Sequence, residues 1–365
     1  MEATIAEIRL GLPLRMLATE PGWSLQLRDL WDVTLDDLAA ADVLVLQRPV
    51  SPRALTLLRR MQAGGGRVIC EIDDLLTEPA EHLLGAAQAR GLVSLVQRAL
   101  AAADLVSAST PRLAQALRAA ARQVTVVPNG AWPEPLPLPA AHTPGLPVHV
   151  LLASSDRLAT SALTQGLVQL MAARPDRVEL VAVGPAVELA ERTGLPVRAL
   201  PLMPRAEFVR FAAALPNALG VIPLGTTRFD ACKSAIKWFD YAMAGVPTLC
   251  SAVPPYSDVV DDGRSGRLVA DSPSAWQQAL CEAVDEPGRA AGWAAAARTE
   301  VLARHTLAVT VAAWSAGLLM LGPRLVPARP AAPWLQAWDT AARRLHHWNR
   351  LRKLSRTTRR AQSPA

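Results

Sequence analysis

Residues 228–256 read RFDACKSAIKWFDYAMAGVPTLCSAVPPY and hold Lys233, Lys237 and Asp240 at offsets of four and three. That spacing predicts one helix with all three side chains on one face. Gly245 and Pro247 stop the helix, and PTLCSA reads as the strand that follows. Two cations on the first turns of a helix suit a phosphate group, because the helix start also offers free N–H groups. An acid one turn further on accepts hydrogen bonds from the two hydroxyls of a ribose. Diphosphate followed by ribose is the layout of a nucleotide-sugar. Taken alone, Lys237 and Asp240 also fit an exposed ion pair contributing about 0.2–0.5 kcal/mol.

Holding such a helix takes strands on either side of it, and the chain supplies them in alternation. Short apolar runs at 42–46, 67–72, 104–108 and 124–127 read as buried parallel strands, with helices at 52–62, 92–101 and 111–121 between them. The stretch 131–147 has six prolines, which excludes a regular helix or central strand and predicts a stiff linker. Alternation then resumes, with strands at 149–153, 178–183, 197–202, 219–223, 248–251 and 267–269. Helices follow at 159–172, 205–214, 273–284 and 289–304. This pattern predicts an α/β protein with two parallel sheets covered on both faces.

Composition narrows the class. The 365 residues suffice for two domains, and half of them are hydrophobic, so sizeable cores can form. Cys70, Cys232, Cys250 and Cys281 are scattered without a C-x-x-C pair. They fit a reducing compartment and argue against a disulfide framework or a zinc site. The start, MEATIAEIRLG, lacks the pattern of a signal peptide. A cytoplasmic protein is therefore expected. Residues 322–365 carry ten Arg or Lys and one acid, Asp339, so this tail holds +9 of charge. The whole chain is +6, which leaves about −3 for residues 1–321. The body has no basic surface that predicts a nucleic-acid partner.

The 228–256 segment resembles the donor-binding signature of retaining glycosyltransferases of the GT-B fold, in the large family that makes bacterial polysaccharides and lipid-linked sugars. The matching residues are Lys237, Asp240, Ala244, Gly245 and Pro247. Further matching pieces are DVLVLQRP (42–49), VICEIDD (68–74), ADLVSAST (103–110), VTVVPNG (124–130) and DGRSGRLV (262–269). The resemblance implies two Rossmann-like domains facing a cleft. These are a shortened acceptor-side domain over 1–130, the linker at 131–147 and a nucleotide-sugar domain over 148–305. The uncharged stretch TLAVTVAAWSAGLLMLGP then becomes a helix at 306–322 crossing back to the first domain, and 323–365 is a tail.

The resemblance also assigns roles. Lys237 and Lys233, with Ser234, Thr226 and Arg228 nearby, would hold the donor diphosphate, and Asp240 the ribose. Relatives carry a second acid eight residues before the ribose acid; here that position is Cys232, and Asp230 lies two residues earlier. Asp230 would reach the same sugar hydroxyls, or equally serve as a first-turn helix acid. Relatives place a histidine near Glu71, Asp73 and Asp74; here Asp73 or Asp74 would orient an acceptor hydroxyl or take its proton. Asn129 and Gly130 end a strand near the donor sugar, and Arg157, after Ser154 and Ser155, is a further diphosphate cation. One acidic cluster without other ligands does not make a metal site, and neither metal nor cofactor is expected. The family's glycine-rich opening loop has no counterpart before PLRMLA (13–18).

The expected activity is transfer of a sugar from a nucleotide-diphosphate-sugar to a hydroxyl of a glycan, lipid-linked or protein acceptor, with retention. A non-catalytic relative and a nucleotide-sugar epimerase on the same fold are the alternatives. In the tail, Trp334, Trp338, Ala341, Leu345 and Trp348 fall at offsets of four, three, four and three. As a helix they would form an apolar stripe suited to an anionic membrane on the inner face of the cell.

Overall fold

The computed structural model describes residues 5–79, 86–134, 136, 142–153, 161–184 and 195–322, together with 335–337, 339–344 and 346–348 near the C-terminus. The expected Ser154, Ser155 and Arg157, and Trp334, Trp338 and Leu345 of the tail, lie outside the described residues.

A π-helical turn, Glu7–Gly11, leads into α1 (Leu12–Leu17), and α2 (Leu35–Ala40) follows. Four parallel strands then form the first sheet in sequential order: β1 (Val43–Gln47), β2 (Arg67–Ile72), β3 (Leu105–Ala108) and β4 (Val124–Val126). They are joined by α3 (Pro52–Ala63), α4 (Ala86–Ala102) and α5 (Pro111–Leu117). Ser51 and Thr110 cap α3 and α5 with side-chain oxygens, each ahead of a proline in the first turn. Strand alternation sends Val68, Cys70 and Ile72 into one core with Leu57, Leu58 and Leu100, and Ile69 into another.

The second sheet has six parallel strands in the order β10-β9-β8-β5-β6-β7. They are β5 (Val148–Ala153), β6 (Val178–Val183), β7 (Val197–Leu200), β8 (Ala218–Ile222), β9 (Thr248–Ser251) and β10 (Arg267–Val269). The helices are α6 (Ser161–Ala173), α7 (Arg205–Ala214), α8 (Arg228–Ala231), α9 (Ile236–Ala244), α10 (Pro273–Asp285) and α11 (Pro287–Arg304). β8 and β9 are buried along their whole length, as continuous apolar runs between two helical layers require.

The uncharged stretch forms α12 (Leu307–Leu321), which packs on the first sheet. Val311, Trp314 and Leu321 lie against Ile69, Leu105 and Val127, and the Trp314 indole N–H donates to the Arg9 carbonyl at 2.9 Å. By length and composition the helical run 287–321 would suit a membrane span. Its second half instead uses one face on the sheet and leaves Val309, Leu319 and Met320 exposed.

One expectation fails. Lys233, Lys237 and Asp240 do not share a helix: α8 ends at Ala231, and α9 begins at Ile236. Between them the chain turns because Phe229 and Cys232 are drawn into the core of the first domain. The Cys232 carbonyl accepts a hydrogen bond from the Thr110 hydroxyl at 2.9 Å, which fixes the break.

Candidate active site

The site is built where the carboxyl ends of both sheets face each other, the place where open parallel sheets hold ligands. α9 is its central element. From Trp238 to Ala244 every residue is buried. Trp238 donates to the Ser265 carbonyl at 3.1 Å and Tyr241 to the Leu151 carbonyl at 3.2 Å. Gly245 ends the helix at φ 71°, a left-handed position that glycine adopts without strain. The start is different. Ala235 offers no side-chain cap, so the first-turn N–H groups are not answered by a capping oxygen. Lys237 stands half-buried in this first turn, and Lys233 half-buried in the preceding loop.

Thr226 and Thr227, between β8 and α8, and Arg228, which opens α8, are exposed. Thr227 caps α8, and its hydroxyl also donates to the Asp230 carboxylate at 2.6 Å. Asp230 thus serves here as the first-turn acid. Arg228 reaches across the cleft to Glu78 at 2.6 Å. Cys232, at the position of the relatives' sugar-contacting acid, is 3% exposed among first-domain core residues.

Asp73 and Asp74 follow β2 and are clamped by Arg48, which follows β1. Arg48 donates to Asp73 at 2.5 and 2.6 Å and to Asp74 at 2.7 Å. Burial pulls the guanidinium pKa down, but Asp73, Asp74 and Glu71 outweigh it and hold the charge in place. The Lys233 ammonium lies 4.0 Å from Asp74 and 4.9 Å from the centre of the Phe229 ring. With Arg48 holding both carboxylates in place, their remaining lone pairs are positioned to orient a hydroxyl.

A buried chain of polar groups runs from the first core to the start of α9. Glu71 is fully buried, and Arg9 donates to it at 2.6 Å. Arg9 also donates to the Val127 carbonyl at 2.7 Å and the Asn129 side-chain oxygen at 2.8 Å. The Asn129 amide then donates to the Ser234 hydroxyl at 2.7 Å, two residues ahead of α9. Burial pushes the Glu71 carboxyl up, and Arg9 opposes that shift. Asp240 is the second buried anchor. Arg205 donates to it at 2.8, 3.0 and 2.5 Å and to the Gly130 carbonyl at 3.1 Å. Burial raises the Asp240 pKa against the pull of Arg205. Asp240 therefore does not stand open on a helix face, as its spacing from Lys237 suggested; it is 7% exposed with both oxygens engaged.

Asn129 and Gly130 follow β4 and meet Ser234 and Arg205 of the second domain. Sequence reasoning missed Arg9, Arg48 and Arg205. Glu71 carried a signal, since a charge in the apolar strand VICEI demands a buried cation. Arg205 carried none. No group of three metal-ligating side chains occurs among the described residues.

This fold has relatives among solved structures. Sucrose-phosphate synthase from Thermosynechococcus elongatus is similar at a TM-score of 0.58 and 16% identity, over 82% of this chain and 80% of that one. HepE from Anabaena, solved with UDP-glucose, is similar at 0.57 and 17% identity, over 78% of this chain and 80% of that one. The fold is GT-B. TarM from S. aureus, solved with UDP, is similar at 0.52 and 12% identity over 70% of this chain, which spans 51% of TarM. Residues 165–316, covering most of the second GT-B domain and α12, match a family described as glycosyl transferase-like. No curated protein sequence matches the chain.

Proposed function

We propose that this GT-B chain transfers a sugar from a nucleotide-diphosphate donor to a hydroxyl of a glycan, lipid-linked or protein acceptor, with retention at the anomeric carbon. One observation carries the reading. The α9 N-terminus has no side-chain cap, bears Lys237 in its first turn and follows Lys233, and its leading loop is hydrogen-bonded to the opposite domain. A diphosphate placed there meets N–H groups and two ammonium groups. As the glycosidic bond breaks, charge develops on the leaving phosphate, and preorganised cations stabilise it. The same phosphate oxygen accepts the acceptor's proton. Asp240, held in place by Arg205, retains lone pairs for a ribose hydroxyl. Asp73 and Asp74, held by Arg48, orient the acceptor. The uridine diphosphate bound by the HepE and TarM structures makes UDP the first donor nucleotide to try.

The test is a thermal-shift screen against UDP, GDP, dTDP, ADP and CMP, with Lys237→Ala beside the wild type. A nucleotide at a hundred times its dissociation constant stabilises by about 2.7 kcal/mol. The expected result is a shift with one diphosphate that Lys237→Ala loses, and a fall in turnover of about 10²-fold or more in that variant. No shift with any nucleotide, or one that Lys237→Ala keeps in full, overturns the donor site.

The burial of Cys232 favours a second reading, a GT-B protein that binds a nucleotide without transfer. With that position packed into the first core, no acid stands where relatives hold the donor sugar. Nucleotide binding without donor hydrolysis or transfer to any acceptor supports this reading over the first.

A further inference from the structure

The described part of the C-terminal tail is helical and docked, with its one acid turned inward. Asp339 is 5% exposed and pairs with the buried guanidinium of Arg53 in the first turn of α3. Arg343 donates to the same carboxylate at 3.1 Å. His346 stacks on Trp31 with ring centres 4.0 Å apart, His347 lies 3.1 Å from Asp32, and Gln336 donates to Asp36 at 3.2 Å. These contacts define the face on the first domain. The opposite face carries Ala337, Ala341, Arg344 and Trp348, all exposed and spaced by four, three and four. Trp348 is 52% exposed. Of the expected apolar stripe, the described members Ala341 and Trp348 lie on this outward side, together with Arg344.

The sequence of this segment is one-sided in charge. From Thr340 to Ala365 the sequence has eight Arg or Lys and no acid. Arg53 and Arg343 already answer the tail's only carboxylate. We propose that this outward face seats on an anionic phospholipid bilayer. An exposed indole suits the level of the headgroups, and the arginines and lysine meet their phosphates. The body, at about −3, is not drawn to such a surface, so the protein would approach tail first. Docking also fixes which side faces the lipid. Arg53, which holds the tail helix, stands in the first turn of α3, the helix that follows β1 and Arg48. Binding itself does not depend on the transferase reading. If that reading holds, an acceptor carried in the membrane would reach the cleft from this side.

The experiment is co-sedimentation of the full chain with vesicles of phosphatidylcholine alone and of phosphatidylcholine with phosphatidylglycerol, at low and high salt. Binding is expected only with phosphatidylglycerol, with release at high salt. The double variant Arg344→Glu with Trp348→Ala should bind at least about tenfold more weakly. Both positions are exposed, so its melting temperature and any nucleotide shift should match the wild type, which separates loss of this surface from loss of fold or donor site. Equal binding to both vesicle types, binding to neither, unchanged binding of the double variant, or preference for a nucleic acid over the vesicles overturns the proposal.

Discussion

Replacing Arg205 by methionine tests how the donor helix is held. Methionine keeps much of the apolar stem and removes the charge. The change deletes three hydrogen bonds to Asp240 and one to the Gly130 carbonyl. Both side chains are buried, so the stranded carboxylate cannot turn to water without opening the α7–α9 contact. Breaking a buried pair from one side costs about 3–5 kcal/mol. For a unit of the second domain's size, that lowers the melting temperature by roughly 6–20 °C. The pH dependence has a definite sign. Burial already holds the folded pKa of Asp240 above its ordinary value, and loss of Arg205 raises it further. A raised acid stabilises the fold below its unfolded pKa, and that contribution is lost as pH rises through the folded one. The deficit of Arg205→Met should therefore be small near about pH 4 and grow toward about pH 7. Urea unfolding across that range measures it. Adding Asp240→Asn should recover part of the loss, because an uncharged amide is less costly to bury unpaired. A melting temperature at neutral pH equal to wild type, or a deficit that does not change with pH, refutes the reasoning.

Three further outcomes follow from neighbouring contacts. A Cβ on Gly130 would lie 2.8 Å from both the Leu307 Cα and the Thr310 hydroxyl, so Gly130→Ala should cost about 1–3 kcal/mol in urea unfolding. Arg9→Met strands Glu71, should destabilise by about 3–5 kcal/mol, and should weaken nucleotide binding, since Asn129 loses the donor that orients it toward Ser234; equal nucleotide shifts in both proteins would refute the link. Cys232→Glu should not restore a sugar-contacting acid but lose stability by at least about 2 kcal/mol, because the carboxylate enters the first core; a gain in turnover would show the position facing the donor.

Most of the architecture was legible because parallel strands buried on both faces are written as short apolar runs. VICEI at β2, VELVAV at β6 and TLCS at β9 have no other economical reading, and their bounds fall within a residue of the apolar runs. The donor helix was legible in its end but not in its beginning. Gly245 and Pro247 are local signals, whereas the break at Cys232 comes from Phe229 and Cys232 entering a core formed more than a hundred residues earlier. The arginine anchors were hidden for the same reason. Arg205 and Asp240 are 35 residues apart, Arg9 and Glu71 are 62 apart, and no periodicity relates them. The acids of the site could be picked out by spacing, but their availability is set by cations from elsewhere in the chain.

Those long-range contacts also decide how firmly the cleft is shut. Arg228 to Glu78 and Arg112 to Asp258 both join the domains at exposed positions. Exposed pairs of this kind contribute about 0–1 kcal/mol each and weaken with salt. Lys233 meets Asp74 only at 4.0 Å, and Arg48 already satisfies that carboxylate. The apolar part of closure rests on Phe229, 5% exposed, whose burial contributes about 1.5–3 kcal/mol, together with the smaller Cys232. Arg228, Phe229, Cys232 and Lys233 lie between β8 and α9, the segment that the proposed diphosphate site also uses. The bonds from Arg205 to Asp240 and from Arg9 to Glu71 lie on either side of that segment and do not break when it moves. The structure therefore separates a rigid frame, held by buried ion pairs, from a short clasp held by a few kilocalories per mole. In the proposed donor mode, a diphosphate that engages Lys233 competes with its contact to Asp74 in the clasp, so that donor binding and the opening of the cleft would be one coupled event rather than two.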